Sequence, residues 1–263
     1  MALSSLLDYF RLPEATQMQS DLDNPQNIVL IRETIARKPF LMKTYESFYT
    51  EMLNKTRTVP FDGRFVELGS GASFLKSYSP YITTSDVIEY EGVDLVFSAL
   101  DMPFDDQSVS VFLMIDVLHH LKDSRQFFRE AKRCLKPNGK IIMIEPANTL
   151  WSSFIYRNFH HEPFETQADW GFEEGGPLTG ANMAIPWIIF DRDIRLFNEE
   201  FPSFRVLHVR RHTPFRYLIS GGLSFRQLLP SWFYPLVRGF EILLSPLNRY
   251  LGMFMTIEIE KIY

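Results

Sequence analysis

Apolar residues recur at helical spacing from Asn27 to Lys55: Ile28, Leu30, Ile31 and Ile35, then Phe40, Leu41, Tyr45, Phe48 and Met52. Pro39 is expected to kink or split this run. Arg64–Leu68 is nearly continuous in apolar character, the pattern of a strand buried on both faces. A short helix follows from Ala72 to about Tyr78, stopped before Pro80. Strands are then predicted at Tyr81–Ser85, ending at Asp86, near Val93–Phe97, and at Val109–Ile115. Asp123–Leu135 is an amphipathic helix with Phe127, Phe128, Ala131 and Leu135 inward, capped by Asp123 or Ser124 and stopped by "KPNG". Lys140–Ile144 is a fifth strand. This alternation predicts right-handed βαβ units and a parallel sheet.

After residue 145 the rhythm breaks. Residues 151–189 read as irregular and aromatic, Asp193–Phe201 as a helix, and Phe204–Arg211 and Met253–Ile262 as two more strands. The intervening 213–251 is mostly apolar and helical in part. We expect one domain over 1–263: a helical cap at 1–58, a core at 60–146, and insertions at 147–190 and 213–251 that cover the substrate. The class is α/β, a Rossmann-like seven-stranded and mostly parallel sheet with helices on both faces.

Composition narrows the partners. Against 32 acidic residues stand 27 basic ones, a net charge of −5, and no basic run is present, so a nucleic-acid partner is not expected. Cys134 is the single cysteine, which forbids an internal disulfide and suits a reducing, cytoplasmic setting. No Cys/His metal-ligand spacing is present, and metal-independent chemistry is expected. The segment "MALSSLLDYFRLPEA" lacks the basic start and apolar core of a signal peptide, and no window of ~18 apolar residues suggests a membrane span.

Chemistry concentrates at "FVELGSGASF", Phe65 to Phe74, where a buried strand runs into Glu67, Gly69, Ser70 and Gly71. A turn this tight brings backbone against a ligand, and the following helix points N–H groups into the same space. Taken alone, the turn suits a phosphate or a carboxylate equally. Asp86, at the end of the next strand, is placed to hold the two hydroxyls of a ribose; a helix cap or a solvated acid would also explain it.

With these residues in view, 60–146 resembles the class I S-adenosylmethionine-dependent methyltransferases, in their small-molecule, methyltransferase-11-like branch. "VELGSGAS", "ALDMPFDDQSVSVFLMIDVLHHL" and "FFREAKRCLKPNGKIIMIEP" stand in that family's order. The resemblance implies that the last strand runs antiparallel beside the fifth and sixth. It implies that Glu67, Gly69, Ser70 and Gly71 surround the methionine part of S-adenosyl-L-methionine and that Asp86 holds the ribose. Asp101 and Met102 would meet the adenine, and Asp116 and Val117 would border the reactive sulfur. Ser73 stands where the family usually has a third glycine, a place where its side chain could crowd the helix. The competing readings are a non-catalytic binder of the cofactor and an NAD(P)-dependent oxidoreductase.

The acceptor is expected to be a small or lipid-like molecule methylated at oxygen, nitrogen or carbon. Hydroxyl and ring-carbon acceptors must lose a proton. Two histidine pairs, His119–His120 and His160–His161, fall where both loops should reach the carboxyl end of the sheet; they are either bases or structural, with Glu145 and Glu162 as alternates. Thr179 and Asn182 are candidates to bond an acceptor, and Trp151, Trp170 and Trp187 to stack on it; a packed covering loop is the other reading. Within 230–251, Trp232, Leu236, Phe240 and Leu243 share a helical face suited to packing on its own domain, a lipid-like acceptor, peripheral membrane contact or a homodimer.

Overall fold

The computed structural model describes residues 10–12, 24–173, 175–176 and 179–263. Most of the expected 1–24 stretch of the cap, including the segment read for a signal peptide, lies outside the described residues. The cap is otherwise two helices, α1 (Pro25–Arg37) and α2 (Pro39–Thr56). Asn24 caps α1 through its side chain, and the proline at the start of α2 splits the run as expected. Strand β1 (Arg64–Glu67) leads to a short helix α3 (Leu75–Tyr78), then β2 (Thr83–Asp86), β3 (Leu95–Val96) and β4 (Val109–Ile115). Helix α4 (Ser124–Cys134) feeds β5 (Leu135–Pro146). Beyond β5 come α5 (Leu150–Phe159), a helical stretch over 185–192, α6 (Ile194–Glu200), β6 (Phe204–His212), α7 (Arg216–Ser220), α8 (Tyr234–Leu243), α9 (Asn248–Leu251) and β7 (Phe254–Lys261).

The seven strands form one sheet in the order β3-β2-β1-β4-β5-β7-β6. Strands β1 to β5 run parallel, and β7 lies antiparallel between β5 and β6. Every residue of β4 but the last is buried, which is why its sequence reads as an unbroken apolar run. The chain leaves β1 toward β2 on one side and later returns to β4 on the other. That reversal opens a crevice beyond the carboxyl ends of β1 and β4.

Two elements differ from the sequence reading, for local reasons. The helix after the glycine turn begins at Leu75 rather than Ala72, because the Ser73 hydroxyl accepts the Leu75 N–H at 3.0 Å and ends the turn there. Ser73 therefore lies before the helix, whose N-cap is Phe74, and does not crowd it. Residues 150–159, read as irregular, are helix α5, opened by a capping box of Thr149 and Ser152. Its apolar residues Leu150 and Phe154 are exposed while Ser152 and Tyr156 are buried, so no inward apolar stripe marked it. Buried charge ties the cap to the sheet: Glu258 of β7 accepts from Lys140 of β5 at 2.7 Å and from Lys55 of α2 at 2.6 Å.

Candidate active site

The glycine turn and Asp86 face one another. Gly69 and Gly71 both adopt positive φ, +59° and +42°. A Cβ on Gly69 would lie 2.6 Å from a Val117 methyl, so glycine is required there by space as well as by backbone. The Ser70 N–H donates to Ser85 O at 2.8 Å, and the Gly71 N–H donates to Asp86 Oδ2 at 2.8 Å. Asp86 Oδ1 accepts the Ile88 N–H at 3.2 Å, and each oxygen keeps a lone pair for a further donor. Tyr49 of α2 closes the turn from above, its hydroxyl accepting the Phe74 N–H at 3.1 Å.

Glu67 is the unusual member. It is buried, and its Oε2 has no hydrogen-bond partner among the described residues. Burial, with the Asp86 charge adding to it against a bond to Ser73, pushes its carboxyl up to about 8. An orphaned buried acid at the mouth of an open-backbone turn is fitted to a ligand that carries positive charge. The expected cofactor carries such charge at its sulfonium and its ammonium, so the residues present fit it.

Asp101 is exposed and Met102 buried. Their loop leaves from beside Asp86, whose carbonyl accepts the Phe97 N–H at 2.9 Å, and is pinned where Glu130 of α4 accepts the Met102 N–H at 2.9 Å. Across the crevice, Asp116 ends β4 at φ +55°, a backbone region costly for a non-glycine residue and typical of functional turns. Burial raises its carboxyl to about 7, with Glu145 and Glu162 adding to the rise and His119 opposing it. Its charge also acts on the phenols of Tyr45, Tyr156 and Tyr217, which come from α2, α5 and α7. These three tyrosines were not legible as site residues, since each sits in an apolar run on a different element.

The structure brings both histidine pairs together around one carboxylate. Glu162 lies within 3.5 to 3.9 Å of a ring nitrogen of His119, His120, His160 and His161. His119 is buried, and its Nδ1 meets Glu145 Oε2 at 2.7 Å. Burial alone would lower His119, but its bonds to Glu145 and Glu162 carry it up to about 10. Burial holds His120 and His160 down at about 4. Glu145, an alternate base in the sequence reading, is already engaged: its Oε1 accepts the N–H groups of Val117 and Leu118, at 2.9 and 2.8 Å. It positions the end of β4.

Part of the acceptor expectation is corrected. Trp170 is buried in an aromatic cluster with Phe197 and Phe201, its indole N–H donating to Asp193, so it packs the core and cannot stack on an acceptor. Asn182 staples its own loop, accepting from the N–H of Glu165 and of Ala184 and donating to Glu165 O. Packing of the 230–251 face on its own domain is also overturned. Trp232, Leu236, Phe240 and Leu243 are 67, 63, 52 and 75 % exposed. Among the described residues no helix is long and apolar enough to cross a membrane.

Comparison with known proteins agrees with the sheet. Residues 76–143 match the family model described as a methyltransferase domain. No curated protein matches the chain in sequence. Among solved structures, a SAM-dependent methyltransferase from Archaeoglobus fulgidus aligns at 13% identity and a TM-score of 0.50, over 82% of this chain and 94% of its own. A SAM-dependent methyltransferase from Thermotoga maritima, a possible histamine N-methyltransferase, aligns at 14% identity and 0.49, over 93% of this chain and 98% of its own. The geranyl diphosphate C-methyltransferase of Streptomyces coelicolor aligns at 14% and 0.47, over 89% and 84%. Residues 76–143 thus match a methyltransferase domain, and the chain shares its fold with the Archaeoglobus fulgidus SAM-dependent methyltransferase.

Proposed function

We propose that the chain is an S-adenosylmethionine-dependent methyltransferase that transfers a methyl group to an apolar, lipid-like small molecule delivered beside Asp116. The observation that carries the reading is the glycine turn, which has Asp86 bonded to Gly71, the orphaned Glu67 carboxyl before it, and Val117, next to Asp116, packed against Gly69. Glu67, Gly69, Ser70, Gly71, Asp86, Asp101, Met102, Asp116 and Val117 would hold the cofactor, which supplies an electrophilic methyl on a sulfonium. The chain's own contribution is alignment and dryness. An oriented nucleophile at van der Waals distance gains up to ~7–11 kcal/mol over free encounter. Tyr45 and Tyr217, whose phenols bond one another, offer apolar rings and a hydroxyl to orient the acceptor, while the Tyr156 hydroxyl is committed to Met253 O. His119, His120, His160 and His161 stand on the acceptor side, and single replacement of each should lower turnover without changing cofactor affinity.

The lipid-like class is supported by the exposed apolar face. Phe240 stacks on Phe215, Phe215 meets Trp151 at a tilt, and Trp151 stacks on Phe154, so the face of α8 continues onto α5, which carries Tyr156 on its inner side. From residue 221 to 251 the one acid is Glu241, buried against Arg216, while Arg238 is exposed. That surface suits peripheral contact with an anionic bilayer better than a symmetric pairing of two like-charged copies. The test is transfer of labelled methyl from S-adenosylmethionine into fractionated cell extract. Label in the organic-extractable fraction is expected, and label confined to water-soluble amines would overturn the lipid-like assignment.

A further inference from the structure

We infer that His119, His120 and Glu162 form a binding site for one divalent transition-metal ion of the zinc type, with an open position toward the acceptor. His120 Nδ1 sits 3.0 Å from Gly180 O, and a carbonyl only accepts, so Nδ1 carries hydrogen and Nε2 presents its lone pair. His119 Nδ1 sits 2.7 Å from Glu145 Oε2, a carboxylate whose other oxygen already accepts two backbone N–H groups. It too donates from Nδ1, leaving Nε2 on the inner side. A carboxylate or carbonyl behind each imidazole is the arrangement that orients metal-binding histidines and raises their basicity.

Both Nε2 atoms are aimed at Glu162. His119 Nε2 is 3.5 Å from Oε2, and His120 Nε2 is 3.7 Å from Oε1. These separations exceed the 2.7–3.2 Å of a good hydrogen bond. They approach the ~3.3 Å edge of a tetrahedron whose centre binds nitrogen and oxygen at about 2.0–2.1 Å. The three ligand atoms lie within 4.8 Å of one another. A proton on His119 Nε2 can satisfy part of this cluster without an ion, but it leaves the His120 lone pair facing a carboxylate. Two imidazoles and one carboxylate suit zinc, iron, cobalt or manganese better than calcium or magnesium.

The other two histidines mark the open side. His160 Nδ1 already accepts the Glu162 N–H, and His161 is 41% exposed. Three protein ligands with a free position is the catalytic rather than the structural pattern. Only the use of the ion rests on the methyl-transfer reading. An acceptor hydroxyl on the ion sheds its proton to water more readily. Its oxygen then forms the C–O bond as the C–S bond breaks, the bonding pair passing to sulfur.

The test is titration of metal-free protein with Co²⁺, read by visible ligand-field absorption, with Zn²⁺ competition and a parallel titration with S-adenosylhomocysteine. One equivalent with an intense tetrahedral-type band is expected. Glu162→Gln and the double variant His119→Gln/His120→Gln should weaken Co²⁺ at least tenfold, while His160→Ala/His161→Ala retains the band. Absence of stoichiometric binding overturns the site, as does a band that survives Glu162→Gln yet vanishes with His160→Ala/His161→Ala. Protein that binds S-adenosylhomocysteine but no metal refutes this inference alone. Protein that binds metal but not S-adenosylhomocysteine leaves the site standing and refutes the function.

Discussion

Glu67 concentrates the chemistry of the proposed cofactor wall in one side chain. Its ordinary value is 4.5, and burial raises it to about 8 in the folded chain. Below pH 4.5 both folded and unfolded chains hold the proton. Above that, the unfolded chain releases it while the folded chain keeps it, so this group's contribution is lost as pH rises from 4.5 through 8. The slope approaches ~1.4 kcal/mol per pH unit within that window. Gln cannot ionise, so Glu67→Gln should gain stability relative to the parent as pH rises, while losing affinity for S-adenosylmethionine. Urea melts across the window check the first part, and parallel stability curves for the two proteins would contradict it. The sequence showed an acid before a glycine turn; it could not show that the acid lacks a partner, since that depends on what β2 and α2 place around it.

At the scale of elements, the buried Lys55–Glu258–Lys140 cluster joins α2, β5 and β7. Glu258→Ala would leave two ammonium groups beside one another with little water, at a cost of ~3–5 kcal/mol. A denaturant melt showing a loss below ~1 kcal/mol would mean that water reaches the site freely. Helix α8 and its apolar neighbours make the opposite kind of feature, an outward apolar face. Trp232→Ser with Leu236→Ser should reduce co-sedimentation with vesicles of mixed neutral and anionic lipid by tenfold or more, with the fold unchanged. Equal sedimentation of parent and variant would remove this face from acceptor delivery. Periodicity announced the face, but burial decides its meaning, and burial depends on what the rest of the chain leaves uncovered.

For the molecule as a whole, the sheet was largely legible. Continuous apolar runs identified β1, β4 and β5 because parallel central strands bury both faces. β2 is the instructive exception. Its sequence, Thr83–Asp86, is polar yet buried, satisfied by bonds such as Ser85 Oγ to Glu67 O at 2.8 Å. The glycine turn and Asp86 could be read because their spacing is local. His119, His120, His160, His161 and Glu162 were read as candidates at the same end of the sheet, but their convergence on Glu162 was not legible, because they lie on two loops separated by α4, β5 and α5. No ligand spacing along the chain would have revealed it. The tyrosines around Asp116 were hidden for the same reason.

Titration calorimetry with S-adenosylhomocysteine tests the central claim most directly, comparing the parent with Asp86→Ala and using NAD as the contrast ligand. The account predicts one site in the parent, weakening by roughly 1–3 kcal/mol in Asp86→Ala as ribose hydroxyls lose their acceptor, and no binding of NAD. Unchanged affinity in Asp86→Ala would contradict the assignment of that wall, and binding of NAD in place of S-adenosylhomocysteine would contradict the enzyme class.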